Sequence, residues 1–168
     1  MKKIFLIFTT VLFIIALTEA QPKNSKAGVQ WLTFEKGMEK AKTSGKKILV
    51  DVYTDWCSWC KKMDANTYSD AVVSDYLNKN YVIIKLNAEA NEQITYQGQK
   101  ISPAEFAQGM GVTGYPATLF LMSDGKPITL LPGYAEPKMF IHVLSYIGEN
   151  HYEKKKFDQY LSEKGVKQ

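Results

Sequence analysis

The only two cysteines of the chain stand three positions apart, in Tyr53-Thr54-Asp55-Trp56-Cys57-Ser58-Trp59-Cys60-Lys61-Lys62. A bridge between them closes a very small loop, which restricts the unfolded chain little and adds little stability. The pair is therefore chemistry, or half of a metal site. Thiol–disulfide exchange needs one thiolate to attack a foreign disulfide and a second thiol to resolve the mixed disulfide. A two-residue spacer lets Cys57 and Cys60 do both without large motion. Metal readings are narrower. Haem attachment needs a histidine after the second cysteine, where this chain has Lys61. Zinc needs four ligands, and His142 and His151 are nine apart, wrong for one helical face. Copper(I) needs only two soft thiolates, so a copper(I) carrier stands as a reading of a different class.

The thiols need a rigid mount. Ile48-Leu49-Val50-Asp51-Val52-Tyr53 is rich in β-branched and aromatic residues and reads as a buried strand. A helix should begin at the cysteines and run towards Asn66. At its N-terminus, free amides and the helix dipole favour an anion, so Cys57 is the expected nucleophile. Cys60, one turn further in, is the expected resolving thiol and the more buried of the two.

Further elements fall in order along the chain. Thr33 to Ser44 is an amphipathic helix stopped by Gly45. Ser69 to Asn78 is a second helical piece, and Tyr81 to Leu86 a second buried strand. The stretch from Ala88 to Ile101 is polar and loop-like. Ser102-Pro103-Ala104-Glu105 is a capping box with proline at the first helical position. Ala117 to Met122 and Pro127 to Leu131 read as a hairpin around Ser123-Asp124-Gly125-Lys126. A closing helix spans Pro137 to Gly148, and residues 151–164 suggest a short amphipathic helix. This order predicts an α/β fold, a central mixed sheet with helices on both faces.

Composition agrees with one domain: 168 residues, 45% apolar and 23% charged. Met1-Lys2-Lys3, the 14-residue run Ile4–Leu17 and Thr18-Glu19-Ala20 read as a signal peptide over 1–20. That run is short of the roughly 20 residues needed to span a bilayer. Its removal takes two lysines and one glutamate, so the formal charge falls from +4 to +3. Every basic residue is lysine, and no dense basic patch stands out beyond Lys154-Lys155-Lys156. A nucleic-acid partner is therefore not expected. Export would place the thiols in an oxidising compartment, periplasmic or secreted.

Taken together, the strand Ile48–Tyr53, the segment Trp56-Cys57-Ser58-Trp59-Cys60-Lys61 and Gly114-Tyr115-Pro116-Ala117-Thr118 resemble the thioredoxin superfamily. The likeness covers about residues 31 to 148. It is strongest to exported thioredoxin-like reductases, including the C-terminal domain of the bacterial transmembrane thiol:disulfide interchange reductase. Asp55-Trp56-Cys57, Thr67-Tyr68-Ser69-Asp70 and Asn87-Ala88-Glu89-Ala90-Asn91 carry that closer likeness. The resemblance implies a thioredoxin fold with a leader over 21–30, the domain over 31–148 and a helical tail over 149–168.

It also implies roles. Asp51 matches a buried acid that relays the Cys60 proton, and Lys85 matches the lysine that partners this acid across adjacent strands. Asp64 falls where the interchange reductase has a second acid. Pro116 matches the cis-proline facing the dithiol, with Trp56, Trp59, Tyr115 and Gly133 forming an apolar docking rim around it. The implied activity is reduction of protein disulfides, with disulfide oxidation or isomerisation as the alternative. Clients are disulfide-containing proteins, and the reductant is a membrane electron donor. No cofactor or metal is implied, and a monomer is expected. The spacer Ser58-Trp59 departs from the Gly-Pro of cytosolic thioredoxins, which leaves the direction of electron flow open.

Overall fold

Alternation along one strand sorts the core into two layers. The structure is a computed structural model describing residues 28–166. The expected signal peptide, and all but the end of the expected leader, lie outside the described residues. In β1 (Ile48–Tyr53), Ile48, Val50 and Val52 point into a layer with Phe34, Ala41 and Phe106. Leu49 points the other way, into a layer with Met63, Tyr68, Leu77 and Phe140. Period-two geometry puts Asp51 on that second face.

The chain order is α1 (Phe34–Ser44), β1, α2 (Ser58–Met63), a π-helical segment (Asp64–Tyr68), α3 (Ala71–Asn80) and β2 (Val82–Asn87). Then follow β3 (Ile94–Tyr96), β4 (Gln99–Ile101), α4 (Pro103–Gly109), β5 (Ala117–Leu121), β6 (Pro127–Pro132), α5 (Pro137–Gly148) and α6 (Phe157–Glu163). The main sheet has the order β2-β1-β5-β6. β1 runs parallel to β2 and antiparallel to β5, and β5 antiparallel to β6. This is the mixed sheet of a thioredoxin fold, with α1 and α4 on one face and α3 and α5 on the other. The parallel β1–β2 pair needs a long crossover, which α2, the π-helical segment and α3 provide.

Capping residues set several boundaries. Asp70 accepts from the amides of Val72 (2.9 Å) and Val73 (3.0 Å), which starts α3 at Ala71. Ser102 and Glu105 form the capping box of α4. Both sheet edges are guarded: Leu32 bridges to Ile84 along β2, and prolines 127 and 132 bound β6.

Two expectations need correcting. The stretch 88–101 is not a plain loop; it holds the β3–β4 hairpin. Gln97 (φ 49°) and Gly98 (φ 80°) both take positive φ, as a two-residue hairpin turn requires. Its strands are three residues each, too short to display alternation, and only Ile94 is fully buried. The hairpin is held by Tyr96, whose hydroxyl donates to the Gly125 carbonyl (3.0 Å) and whose ring meets Phe106 edge-on (5.0 Å). The tail over 151–164 is also not one helix. A short 3-10 turn (His151–Glu153) precedes α6, which buries Tyr160 and Leu161.

Candidate active site

The chain leaves β1 at Tyr53, and Cys57 caps α2 from an extended conformation. Its Sγ accepts the backbone N–H of Cys60 at 3.0 Å. Cys57 and Cys60 are joined as a disulfide, with their Cα atoms 5.3 Å apart. Both are 4% exposed, which corrects the expectation that Cys60 is the more buried. Burial therefore does not tell the two cysteines apart. What distinguishes them is the amide bond to the Cys57 sulfur, since a thiolate accepting an N–H is stabilised relative to the thiol.

Strand register brings the second motif to the same place. Val52 pairs with Ala117, so Pro116 lies at the end of the sheet where β1 delivers the cysteines. The Tyr115–Pro116 peptide bond is cis. Gly133 (φ 77°) donates its N–H to the Pro116 carbonyl at 2.8 Å. Trp56 meets Tyr115 edge-on with centroids 6.0 Å apart, and its Nε1 donates to both carboxylate oxygens of Glu89, each at 3.0 Å. Trp59 leans on Tyr134 at 5.5 Å. Lys62 Nζ sits over both of those rings, at 4.5 and 4.8 Å. Trp56, Trp59, Tyr115, Pro116 and Gly133 thus gather at one end of the molecule. Glu89, Lys62 and Tyr134 join them without having been singled out in the sequence. For Tyr134 the available signal was its place directly after Gly133.

On the sheet face that packs against α2, a charge cluster forms around the buried Asp51. Asp51 pairs in register with Lys85 on one side and Thr118 on the other. Its Oδ2 is 3.3 Å from Lys85 Nζ, and its Oδ1 accepts the Tyr68 hydroxyl at 3.2 Å. Lys85 also pairs with Asp64, and its ammonium lies over the rings of Trp31 (4.7 Å) and Tyr53 (5.1 Å). Burial pushes the Asp51 carboxyl up to about 6; Lys85 opposes that rise and Asp64 adds to it. Tyr68 is raised too, first by burial and then by the Asp51 charge. Asp51 therefore faces the layer on which α2 packs, though neither cysteine is among its hydrogen-bond partners. Tyr68 and Trp31 complete the cluster and had no chemical signal of their own in the sequence. The buried hydroxyls of Thr54 and Thr118 have no hydrogen-bond partner. Among the described residues, no three His, Cys, Asp or Glu side chains converge as a metal site.

Comparison with known proteins identifies the family and the fold. The family model described as a thioredoxin-like domain matches residues 34–148. The thiol:disulfide interchange protein DsbD of Actinobacillus pleuropneumoniae is 28% identical over 107 residues, 62% of this chain and 17% of that protein. The chain thus matches only about a sixth of that relative's length. A thioredoxin-fold protein from Helicobacter pylori superposes with a TM-score of 0.60 at 25% identity, covering 72% of this chain and 80% of that one. A candidate disulphide-isomerase from Bacteroides thetaiotaomicron gives a TM-score of 0.58 at 27% identity, covering 77% and 97%.

Proposed function

The chain belongs to the thioredoxin-like family of thiol:disulfide oxidoreductases, and from that premise we propose that it is an exported reductase of protein disulfides. The observation that carries this reading is the Cys57 sulfur, capped by the Cys60 amide within a rim of exposed aromatic side chains. In the reduced protein, the Cys57 thiolate attacks one sulfur of a client disulfide. That S–S bond breaks, a client thiolate leaves, and Cys57 is joined to the other client sulfur. Cys60 then loses its proton and attacks the Cys57 sulfur. The second client thiolate leaves, the Cys57–Cys60 disulfide forms, and two electrons have passed to the client. Asp51 takes the Cys60 proton, directly or through water, and its pKa of about 6 suits proton transfer near neutrality. Lys85 holds that carboxylate in place.

Trp56, Trp59 and Tyr115 form the docking surface, and the backbone beside Pro116 pairs with an extended client segment. Gly133 braces Pro116 through its carbonyl. Disulfide-containing proteins are the clients, and a membrane dithiol donor returns the two electrons. The basic start and apolar run before Ala20 support export to a periplasmic or extracellular space. Among the described residues, no helix is long and apolar enough to cross a membrane.

The reductase direction is our reading of the charge around the site. Strong oxidants owe their potential to a heavily stabilised thiolate. Asp51 and Asp64 share a cluster with the single cation Lys85, and Asp55 stands two residues before Cys57; the excess negative charge of that set opposes thiolate formation. The deciding experiment is the redox potential of the Cys57–Cys60 couple against glutathione. A potential near that of reducing thioredoxins supports the reductase. A strongly oxidising value assigns the protein to disulfide formation or isomerisation instead. Cys60→Ser should trap a covalent client adduct through Cys57, and a trap that forms only through Cys60 reverses the two roles.

A further inference from the structure

We propose that Tyr68 is a positioning residue for the acid–base step, its hydroxyl fixing one carboxylate oxygen of Asp51 while Lys85 fixes the other. This rests on the reading of Asp51 as the group that takes the Cys60 proton.

Three observations carry it. Tyr68 ends the π-helical segment that directly follows α2. Asp64 and Tyr68, four residues apart and so on one side of the segment, face Lys85 and Asp51. Next, the ring is wedged edge-on between Trp31 (4.8 Å, interplanar angle 85°) and Phe140 (5.8 Å, 86°). It cannot swing away, so only its O–H can reorient. Phenylalanine would satisfy that packing, and the hydroxyl is thus free for another task. Finally, the Thr118 hydroxyl lies beside that of Tyr68, opposite Asp51 in the β1–β5 register. It is fully buried and makes no hydrogen bond of ordinary geometry, so Tyr68 is a near but unengaged neighbour. A buried hydroxyl without a partner is costly.

These contacts give the phenol two settings. When Asp51 is charged, the Tyr68 O–H donates to Oδ1, a charge-assisted bond that favours the carboxylate. When Asp51 has taken the Cys60 proton, that acceptor weakens. The Tyr68 O–H then turns to the Thr118 oxygen, and the new carboxyl O–H can donate to the Tyr68 oxygen. No proton leaves Tyr68 at any stage. The groups facing Asp51 are Lys85 from β2, Asp64 and Tyr68 from the π-helical segment, Tyr53 from β1 and Thr118 from β5; α5 contributes the apolar Phe140. A groove of about 340 Å³ lined by Trp31, Asp64, Tyr68 and Lys85 opens the cluster to water, away from the rim residues. Water in that groove therefore reaches Tyr68 and Lys85, the two groups that hold the buried Asp51 carboxylate, from a side that the dithiol rim does not line.

The test is a carboxyl carbon NMR titration of Asp51 in the oxidised full chain, where no thiol titrates. Tyr68→Phe should move the Asp51 midpoint up by about one pH unit, as loss of a hydrogen bond to a charged group predicts. The acid limb of the disulfide-reduction pH profile should move with it, while the client KM stays unchanged. Site-specific 3-fluorotyrosine at position 68, a stronger donor on the same ring, should move the midpoint down. An Asp51 midpoint that neither replacement moves overturns the Tyr68 assignment alone. An acid limb that Asp51→Asn leaves in place overturns the relay reading beneath it.

Discussion

Around the dithiol, Trp56 and Trp59 present 67% and 52% of their surface to solvent; in the charge cluster, Asp51 and Tyr68 present 2% and 3%. Both regions mix aromatic rings with charges. On the rim, Glu89 and Lys62 hold indoles whose polar atoms water would otherwise satisfy. Exposed pairs of this kind contribute well under about 1 kcal/mol. In the cluster, Asp51 and Tyr68 are buried, so each hydrogen bond or charge acting on them displaces a protonation equilibrium. The same residue types therefore do different work. Rim residues should govern which client docks, and cluster residues should govern the pH at which the dithiol works.

The largest effect expected belongs to neither region but to the sulfur between them. Cys57→Ser should lower disulfide reduction by roughly a thousandfold or more, since the activated nucleophile is lost. Insulin turbidity measures it directly. A rim variant with an equal loss would break the division between docking and chemistry.

Next in size is Asp51→Asn, where the sign of the pH dependence matters. The folded carboxyl titrates at about 6, above its ordinary 3.8. Between those values the folded state binds more protons than the unfolded state, so wild-type stability falls as pH rises. The stabilisation is fully present below about 3.8 and is lost as pH passes through about 6. A shift of about two units corresponds to on the order of 3 kcal/mol. Asp51→Asn should therefore gain on wild type by that order between pH 4 and pH 7.5, in urea unfolding of the oxidised protein. Its turnover near neutrality should nevertheless fall, because Cys60 has lost its proton acceptor. A stability difference that does not change with pH would move Asp51 out of the cluster's electrostatics.

Particular residues show how much of this could be read in advance. The run Ile48–Tyr53 marked β1, because β-branched Ile48, Val50 and Val52 on one face and Leu49 on the other describe a strand buried on both sides. Asp51 inside that run marked itself as a buried acid. Lys85 followed from the resemblance, and the parallel register makes the two direct neighbours. The β3–β4 hairpin escaped because three-residue strands carry no periodicity, and Gln97-Gly98 is a weak turn signal. Tyr68 falls between the two predicted helices and enters the sequence reading only within Thr67-Tyr68-Ser69-Asp70, with no role of its own. Its partner is 17 residues away in the chain, on β1, and only the tertiary fold brings the two together. The equal burial of the cysteines reflects the bridge itself, which no reading of separate thiols describes.

Removal of the rim aromatics should have a smaller effect, and one of a different kind. Trp56→Ala and Trp59→Ala should each raise client KM several-fold, in line with loss of an aromatic contact worth about 1 kcal/mol. Both rings are more than half exposed, so unfolding stability should change by less than about 1 kcal/mol. Steady-state kinetics on one disulfide-bonded client, with a urea curve for each variant, checks both halves. A fall in kcat at constant KM would show that these rings shape the chemistry as well as the docking.

Glu89→Gln should have the smallest effect and is the most exacting check on the comparison. Glu89 is exposed, and its carboxylate accepts the Trp56 Nε1 bond. Glutamine keeps an oxygen there, so the indole stays held and KM should change by less than about twofold. What the substitution removes is one negative charge on the same side of the sheet end as the dithiol. At physiological ionic strength the screening length is about 8 Å, and water covers Glu89 but not Asp51. The acid limb of the pH profile should therefore stay within roughly 0.2 units of wild type. Repeating the measurement at low salt sharpens the test, since screening then weakens and a shift grows if one exists. An acid limb that moves clearly at both salt concentrations would mean that the rim charge reaches the buried carboxyl, and docking and proton transfer would then have to be treated as one electrostatic unit.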